Sequence, residues 1–309
     1  MADLEFDRDF SPAYGTAVTL TPNVRRVTCN NPGPFTFMGT NSYIVGHGKV
    51  AIIDPGPADP EHIDALMQAT AGEMITHILI THSHADHSPG ARLLKEHCGA
   101  PVYAEGIHRP TRPLHRDEAN PLDAEGDANL EIDQFLVDGE LVQGEDWALE
   151  VVHTPGHTVN HLSFGFPDGS GLFCGDHAMA WSTSIIAPPD GSMASYMHSI
   201  NKLMQRQDRL YWPGHGGVIS DPHTFLAGLK YHREKREQAL IEHLQAGENT
   251  IPDMVATLYK DVDPSLHGAA ALSMFAQMEY LLARGIVQCL DAEATLSARY
   301  QLVQPRRRS

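Results

Sequence analysis

Thr81-His-Ser-His-Ala-Asp-His87 is the stretch on which the reading of this chain turns. It sets His82, His84, Asp86 and His87 within six positions, directly after the apolar run Ile75–Thr81, which predicts a buried strand. Successive strand residues point to opposite faces, so His82 and His84 can share a face while Asp86 and His87 cannot both join them. The four converge only where the chain turns, and a loop at a strand end gives that freedom on a rigid base. Imidazole with carboxylate suits zinc, iron or manganese, and no cysteine accompanies them. A solvated histidine-rich turn is the plainer reading. It leaves four strong ligands crowded together with no cation to gather them.

Three further pieces lie downstream: His153-Thr-Pro-Gly-His157, Cys174-Gly-Asp176 and Pro213-Gly-His215. Each falls at the end of a predicted strand, where a glycine lets the backbone turn and pass near a site. Alone, such a triplet is more often a turn or core piece than a ligand. In this order, after the first motif, the pieces reinforce one another.

Outward from these motifs, short β-rich runs are predicted at Ala17–Leu20, Val27–Cys29, Asn41–Val45 and Val50–Ile53, then a helix over Pro60–Ala71. A helix at Gly90–His97 and a strand at Pro101–Ala104 follow. Later strands fit Gln134–Val137, Leu149–His153, His161–Phe166, Leu172–Cys174 and Leu210–Trp212, with a helix over Ala194–Gln205. The alternation indicates α/β layering. Residues 105–129 show little periodicity and read as a surface excursion, either a lid or a plain loop. After Pro222 the pattern turns helical: His223–Gln245, a start capped by Thr250, and Pro264–Arg284, closed by a hairpin of Ile286–Leu290 and Thr295–Val303. The division expected is a catalytic domain over 1–222 and a helical linker with a winged-helix-like domain over 223–309.

Composition narrows the function classes. The chain of 309 residues carries 22 Lys/Arg and 39 Asp/Glu, a net charge of −17. Through Phe225 there are 12 basic and 29 acidic residues, and ten of each afterwards. Such an acidic body resists non-specific nucleic-acid binding, and solubility is the simpler reading of the charge. No uninterrupted apolar stretch approaches the roughly 18 residues of a membrane span, and the acidic start lacks the apolar run of an export signal. Four scattered cysteines without CxxC pairing suit reduced thiols and a cytoplasmic location. Cys174 reads as a small core residue and Arg306–Arg308 as a solvated basic tail.

With these motifs in hand, the sequence resembles the metallo-β-lactamase superfamily from Asn31-Pro-Gly-Pro through Asp54 to His215. The resemblance implies an αββα sandwich, α/β in class, with metals at one sheet edge and a small C-terminal winged-helix-like domain. It implies that His82, His84 and His157 bind one divalent ion, that Asp86, His87 and His215 bind a second, and that Asp176 bridges both. Zinc is the first expectation, with iron or manganese as alternatives. Asp54, in Ile-Ile-Asp-Pro-Gly, matches the carboxylate that orients the ligand loop; its plain reading is a turn aspartate. Two ions roughly 3.5–4 Å apart share a water and lower its pKa from 15.7 to about 7. The resulting hydroxide attacks the substrate, with Asp86 as the catalytic proton acceptor. His161 and His198 are carried as substrate-binding candidates, and His177 is expected to point away.

Within that superfamily the absence of an export signal argues against antibiotic degradation, and His84 argues against the iron-only oxygen reductases. Asn31-Pro-Gly-Pro-Phe-Thr-Phe-Met-Gly-Thr-Asn41-Ser-Tyr, the Gly-His-Thr-x-x-His161 run and the helical tail resemble the branch of lactamase-like protein 2 endoribonucleases and polyketide thioesterases. Substrates of that branch divide between single-stranded RNA and thioesters. The acidic body favours a small thioester or lactone. A non-hydrolytic metal redox or sensing protein is the alternative of another class, and the oligomeric state stays open.

Overall fold

The computed structural model describes residues 4–115, 118, 126–260 and 267–304. The basic tail Arg306–Arg308 and parts of the 105–129 excursion and of Pro264–Arg284 lie outside the described residues. Two sheets stack face to face. The first runs β1 (Val18–Thr21), β2 (Val24–Thr28), β3 (Asn41–Val45), β4 (Lys49–Ile53), β5 (Met74–Leu79), β6 (Val102–Ala104) and β7 (Gln134–Phe135) in that spatial order. Its first four strands pair antiparallel and the rest parallel, with α1 (Pro60–Ala69) and α2 (Gly90–Cys98) supplying the crossovers into β5 and β6. The second sheet contains β8 (Leu141–Gln143), β9 (Ala148–His153), β10 (Leu162–Gly165), β11 (Leu172–Gly175) and β12 (Tyr211–Pro213), ordered β12-β11-β10-β9-β8.

Strand alternation builds the layers. On β3 and β4, Tyr43, Val45, Ala51 and Ile53 face the second sheet and meet Leu149, Val151, Phe164, Phe173 and Trp212. The intervening Ile44, Val50 and Ile52 face the helices and pack on Ile63, Leu66 and Leu94. All five residues of β3 are buried, so it reads as a continuous run instead of an alternating one. Each large side chain taken fully out of water contributes about 1.5–3 kcal/mol. Behind the second sheet, α3 (Met193–Leu203) and the start of α4 (Pro222–Ala246) cover Leu172 and Tyr211. The result is the expected αββα sandwich.

Side chains fix the helix starts. Asp59 accepts from the Glu61 amide at 2.9 Å ahead of Pro60, and Asp221 caps α4 at the Thr224 amide at 3.1 Å ahead of Pro222. Thr250 caps α5 (Ile251–Leu258) as the sequence predicts. Helix α6 (His267–Ala283) and the hairpin of β13 (Val287–Cys289) and β14 (Tyr300–Leu302) complete a separate small core around Met254, Phe275 and Tyr300. Helix α4 belongs to both: Leu226 and Leu229 enter the sandwich core, while Leu240 enters the small one. Among the described residues no helix is long and apolar enough to cross a membrane.

Candidate metal centre

The edge where β5, β9, β11 and β12 end carries every ligand candidate. Strand β5 stops at Leu79, two residues earlier than predicted, so His82 and His84 stand on the loop and not on a strand face. That loop turns back with α2 starting at Gly90, and the turn brings all four motif groups together. Ligand-type atoms gather in three overlapping sets, each within 4.8 Å: His82, His84 and His157; His82, His87 and Asp176; Asp86, His87 and His215. Nδ1 of His84 lies 3.1 Å from Nε2 of His82 and 3.0 Å from Nε2 of His157. Nε2 of His87 and Nε2 of His215 are 3.3 Å apart, and His215 Nε2 is 3.2 Å from Asp86 Oδ2 and 3.4 Å from Asp176 Oδ1. Asp176 Oδ2 is 3.7 Å from His157 Nε2, so its two oxygens face both groups.

The outer nitrogens of four of these rings are held by oxygens, while Nε2 of His84 is buried with no hydrogen-bond partner. His82 Nδ1 is 3.0 Å from the Thr81 hydroxyl, His87 Nδ1 is 3.0 Å from Asp54, His157 Nδ1 donates to Ile185 O at 2.6 Å, and His215 Nδ1 donates to Gly39 O at 3.2 Å. The Thr81 hydroxyl is itself committed to Asp54 as a donor at 2.6 Å, so it accepts from His82. Where the outer nitrogen keeps the proton, as at His82 and His157, the inner nitrogen presents a lone pair to the cluster. Asp176 Oδ1 is buried with no hydrogen-bond partner. A crowd of inward lone pairs is repulsive until cations enter it, and the donor set of five imidazoles and two carboxylates fits divalent metal.

Electrostatics divide the cluster in two. Burial and the neighbouring imidazoles push His82 far below its ordinary value, and burial with His157 takes His84 to about 3. On the other side burial opposes the charge on His87, but Asp86 and Asp176 overcome it and raise the ring to about 9; His215 is raised in the same way. Burial also opposes ionisation of Asp86 and Asp176, yet the facing imidazoles hold both below the usual carboxylate range. The two carboxylates thus pull positive charge toward His87 and His215.

Other candidates sit elsewhere. His161 was expected near substrate, but it is fully buried: Nδ1 is 2.9 Å from the Thr154 hydroxyl, and Nε2 accepts the Asp176 amide at 3.1 Å. It supports Asp176 from behind. His198 is exposed on α3 and is not among the residues lining the cavity above the cluster. His177 is buried against Tyr196, at 4.6 Å between rings. Burial pushes the Cys174 thiol well up, and it donates to Ala178 O at 3.2 Å, a core role.

Several contributors were missed from the sequence. Asn41 donates to Pro213 O at 3.1 Å and Gly216 O at 2.9 Å, and the Tyr43 hydroxyl donates to Pro213 O at 2.6 Å, so β3 pins the loop that carries His215. The Thr40 hydroxyl donates to Asp86 Oδ2 at 3.4 Å and accepts from Asn31 at 3.0 Å. Polar residues opening an otherwise apolar strand were the available signal at Asn41 and Ser42, which the structure buries completely. The described flanks of the excursion are tied to the motif: Asp127 N donates to Ser83 O at 2.7 Å, and Asn160 bridges Ser83 Oγ and Gly106 O. A cavity of about 180 Å3 opens above the cluster, walled by Gly33, Pro34, Phe35, Thr36, Met179 and Ile185.

A stacked pair of mixed sheets, covered by helices and bearing at one edge a histidine–aspartate cluster that could hold metal, defines an αββα sandwich scaffold. The chain belongs to the metallo-beta-lactamase superfamily, whose sequence pattern matches residues 35–215. Residues 250–294 match the beta-lactamase associated winged helix domain. The chain is 28% identical to lactamase-like protein notP of Aspergillus sp. (strain MF297-2) over 278 residues, covering 83% of this chain and 78% of that one. It is 29% identical to an atrochrysone carboxyl ACP thioesterase of Aspergillus chevalieri, over 81% of this chain and 74% of the relative. It is also 29% identical to the beta-lactamase-like protein 2 homolog of Caenorhabditis elegans, over 87% of each. A metallo-beta-lactamase family protein of Thermus thermophilus shares the fold with a TM-score of 0.74 at 22% identity, over 92% of this chain and 100% of that one.

Proposed function

We propose that this protein is a dinuclear metal-dependent hydrolase acting on a small thioester, with a lactone as the related substrate. His82, His84 and His157 would hold one divalent ion, zinc first, and Asp86, His87 and His215 a second, with Asp176 between them. Bound ions supply Lewis acidity to the substrate carbonyl and to a water. The observation that carries the reading is the meeting of these seven groups beneath a small cavity whose other walls are mainly apolar.

The residues divide the remaining work. Asp86 has the most exposed carboxylate of the cluster, 27% against 10% for Asp176. It faces the cavity, orients the attacking water and accepts its proton, while the Thr40 hydroxyl steadies one oxygen. A C–O bond forms at the carbonyl carbon and the C–S bond breaks, with the electron pair leaving on sulfur. A thiol of pKa about 8.5 departs as thiolate without a strong acid beside it. Phe35, Met179 and Ile185 wall the approach to the reacting carbon and keep bulk water from it. The thioesterases among the relatives add support. The proposed domain division at 222/223 falls in the first turn of α4, a helix that contributes to both cores.

The test is metal analysis of the purified protein together with an assay panel of an acyl thioester, a lactone and single-stranded RNA. About two equivalents of divalent metal and fastest cleavage of the thioester are expected. Cleavage of RNA alone, or a coloured iron protein that hydrolyses nothing, overturns the reading.

A further inference from the structure

The cavity above the cluster continues past its own walls. Pro34, Phe35, Met179 and Ile185 also line a second, larger groove of about 500 Å3, whose far side is built from α4, α5 and α6. In a chain of net charge −17, this groove is lined by Arg8, His232, Arg233 and Arg236, and no Asp or Glu is among the described residues lining it. Arg236 lies over the Tyr259 ring at 4.8 Å. Arg233 is only 5% exposed; it donates to Ser184 O at 2.5 Å, and its Nε is buried with no hydrogen-bond partner. A buried guanidinium left without a carboxylate costs stability that an incoming anion would offset.

Metal-ligand candidates and arginines share one wall. Ser184 Oγ donates to Asp176 O at 2.5 Å and Ile185 O accepts from His157 at 2.6 Å, while on the other side Ser184 O receives Arg233. The groove that carries these cations therefore meets the cavity of the reacting centre along a shared wall, with Phe35 and Met179 common to both.

We propose that the groove binds the anionic carrier end of the substrate: a phosphate at the far end of a flexible thioester arm. Arg8 and Arg236 contact it and Arg233 supplies the buried charge behind them. The proposal rests on the thioesterase reading above. The planar fork of arginine matches a phosphate in shape and charge. One anion set apart from the scissile bond fits this layout, whereas a repeating phosphate backbone asks for cations along its whole path.

The test compares acyl-coenzyme A with the same acyl group on N-acetylcysteamine, which has no phosphate, and on an acyl carrier protein. Arg236→Ala is expected to raise KM for acyl-coenzyme A about tenfold or more, with kcat within about twofold and the N-acetylcysteamine ester unaffected. Arg8→Ala acts in the same direction, and Arg236→Lys recovers part of the loss. Calorimetric binding of coenzyme A weakens in parallel and falls with added salt. A lower KM for the carrier-protein substrate assigns the phosphate to a protein-bound arm. Equal effects on all three substrates, or coenzyme A binding indifferent to both arginines, overturn the groove assignment and leave the thioesterase reading intact. If no thioester is cleaved yet coenzyme A binding still depends on Arg236, the reaction fails and the groove stands.

Discussion

The carboxylate of Asp54 accepts from Nδ1 of His87 at 3.0 Å while its other oxygen takes the amide of Thr81 at 2.7 Å. Through the Thr81 hydroxyl the same carboxylate reaches His82, so one buried group aligns an imidazole on each side of the cluster. Asp54→Asn keeps the shape and removes the charge that fixes both rings. Metal affinity should fall about 10–100-fold, read by competition with a chromophoric chelator. Unchanged affinity would falsify this role.

Asp86→Ala and Asp176→Ala should each abolish turnover and lower bound metal, because each removes a carboxylate facing His87 and His215. Elemental analysis beside the thioester assay reads both effects. Full activity in either variant contradicts the assignment.

Chelation should lower the melting temperature. Ligands bound only by the folded state stabilise it by about 2.7 kcal/mol at a hundredfold excess over Kd, or several degrees for a chain of this size. A calorimetric scan with and without chelator checks it, and an identical transition counts against a bound metal.

Gly214 lies where a side chain has no room. A Cβ there would meet Asp176 Oδ1 at 2.5 Å and His87 Cε1 at 2.7 Å. Gly214→Ala should push those two groups apart, costing about tenfold or more in activity. Activity within twofold of the parent, at full metal loading, would show that the close approach is unimportant.

His62, buried on α1, has Nε2 2.7 Å from the Ser42 hydroxyl, and burial lowers its pKa from 6.5 to about 4. The unfolded chain takes up this proton first. The stability it contributes is therefore complete above pH 6.5 and is lost as pH falls toward 4. The full window amounts to about 3 kcal/mol at most. Urea unfolding of chelated protein should show a shallower pH slope in His62→Gln than in the parent, and equal slopes would contradict the account.

Much of the site is legible in the sequence. The ligand motif combines unusual residue types at tight spacing after an apolar strand, and α4 and the Thr250 cap carried ordinary helix signals. Strand β8 was overlooked because Leu141–Gln143 is three residues long, with two of them exposed. His161 misled because it follows the loop that carries His157, whereas just ahead of β10 its ring turns inward onto the Asp176 amide. The anchoring by Asn41 and Tyr43 joins residues about 170 positions apart, and no local pattern encodes such a pairing.

The Ser184–Ile185 strip is a partition with no spare face. Its carbonyls and hydroxyl are already committed to His157, Asp176 and Arg233, so a change there disturbs reactivity and recognition together. Evolution or engineering toward new substrates would proceed instead through the Pro34–Thr36 rim beside the cluster and the Ala269–Ser273 side of α6 in the groove, where a side chain can be exchanged without altering the chemistry next door.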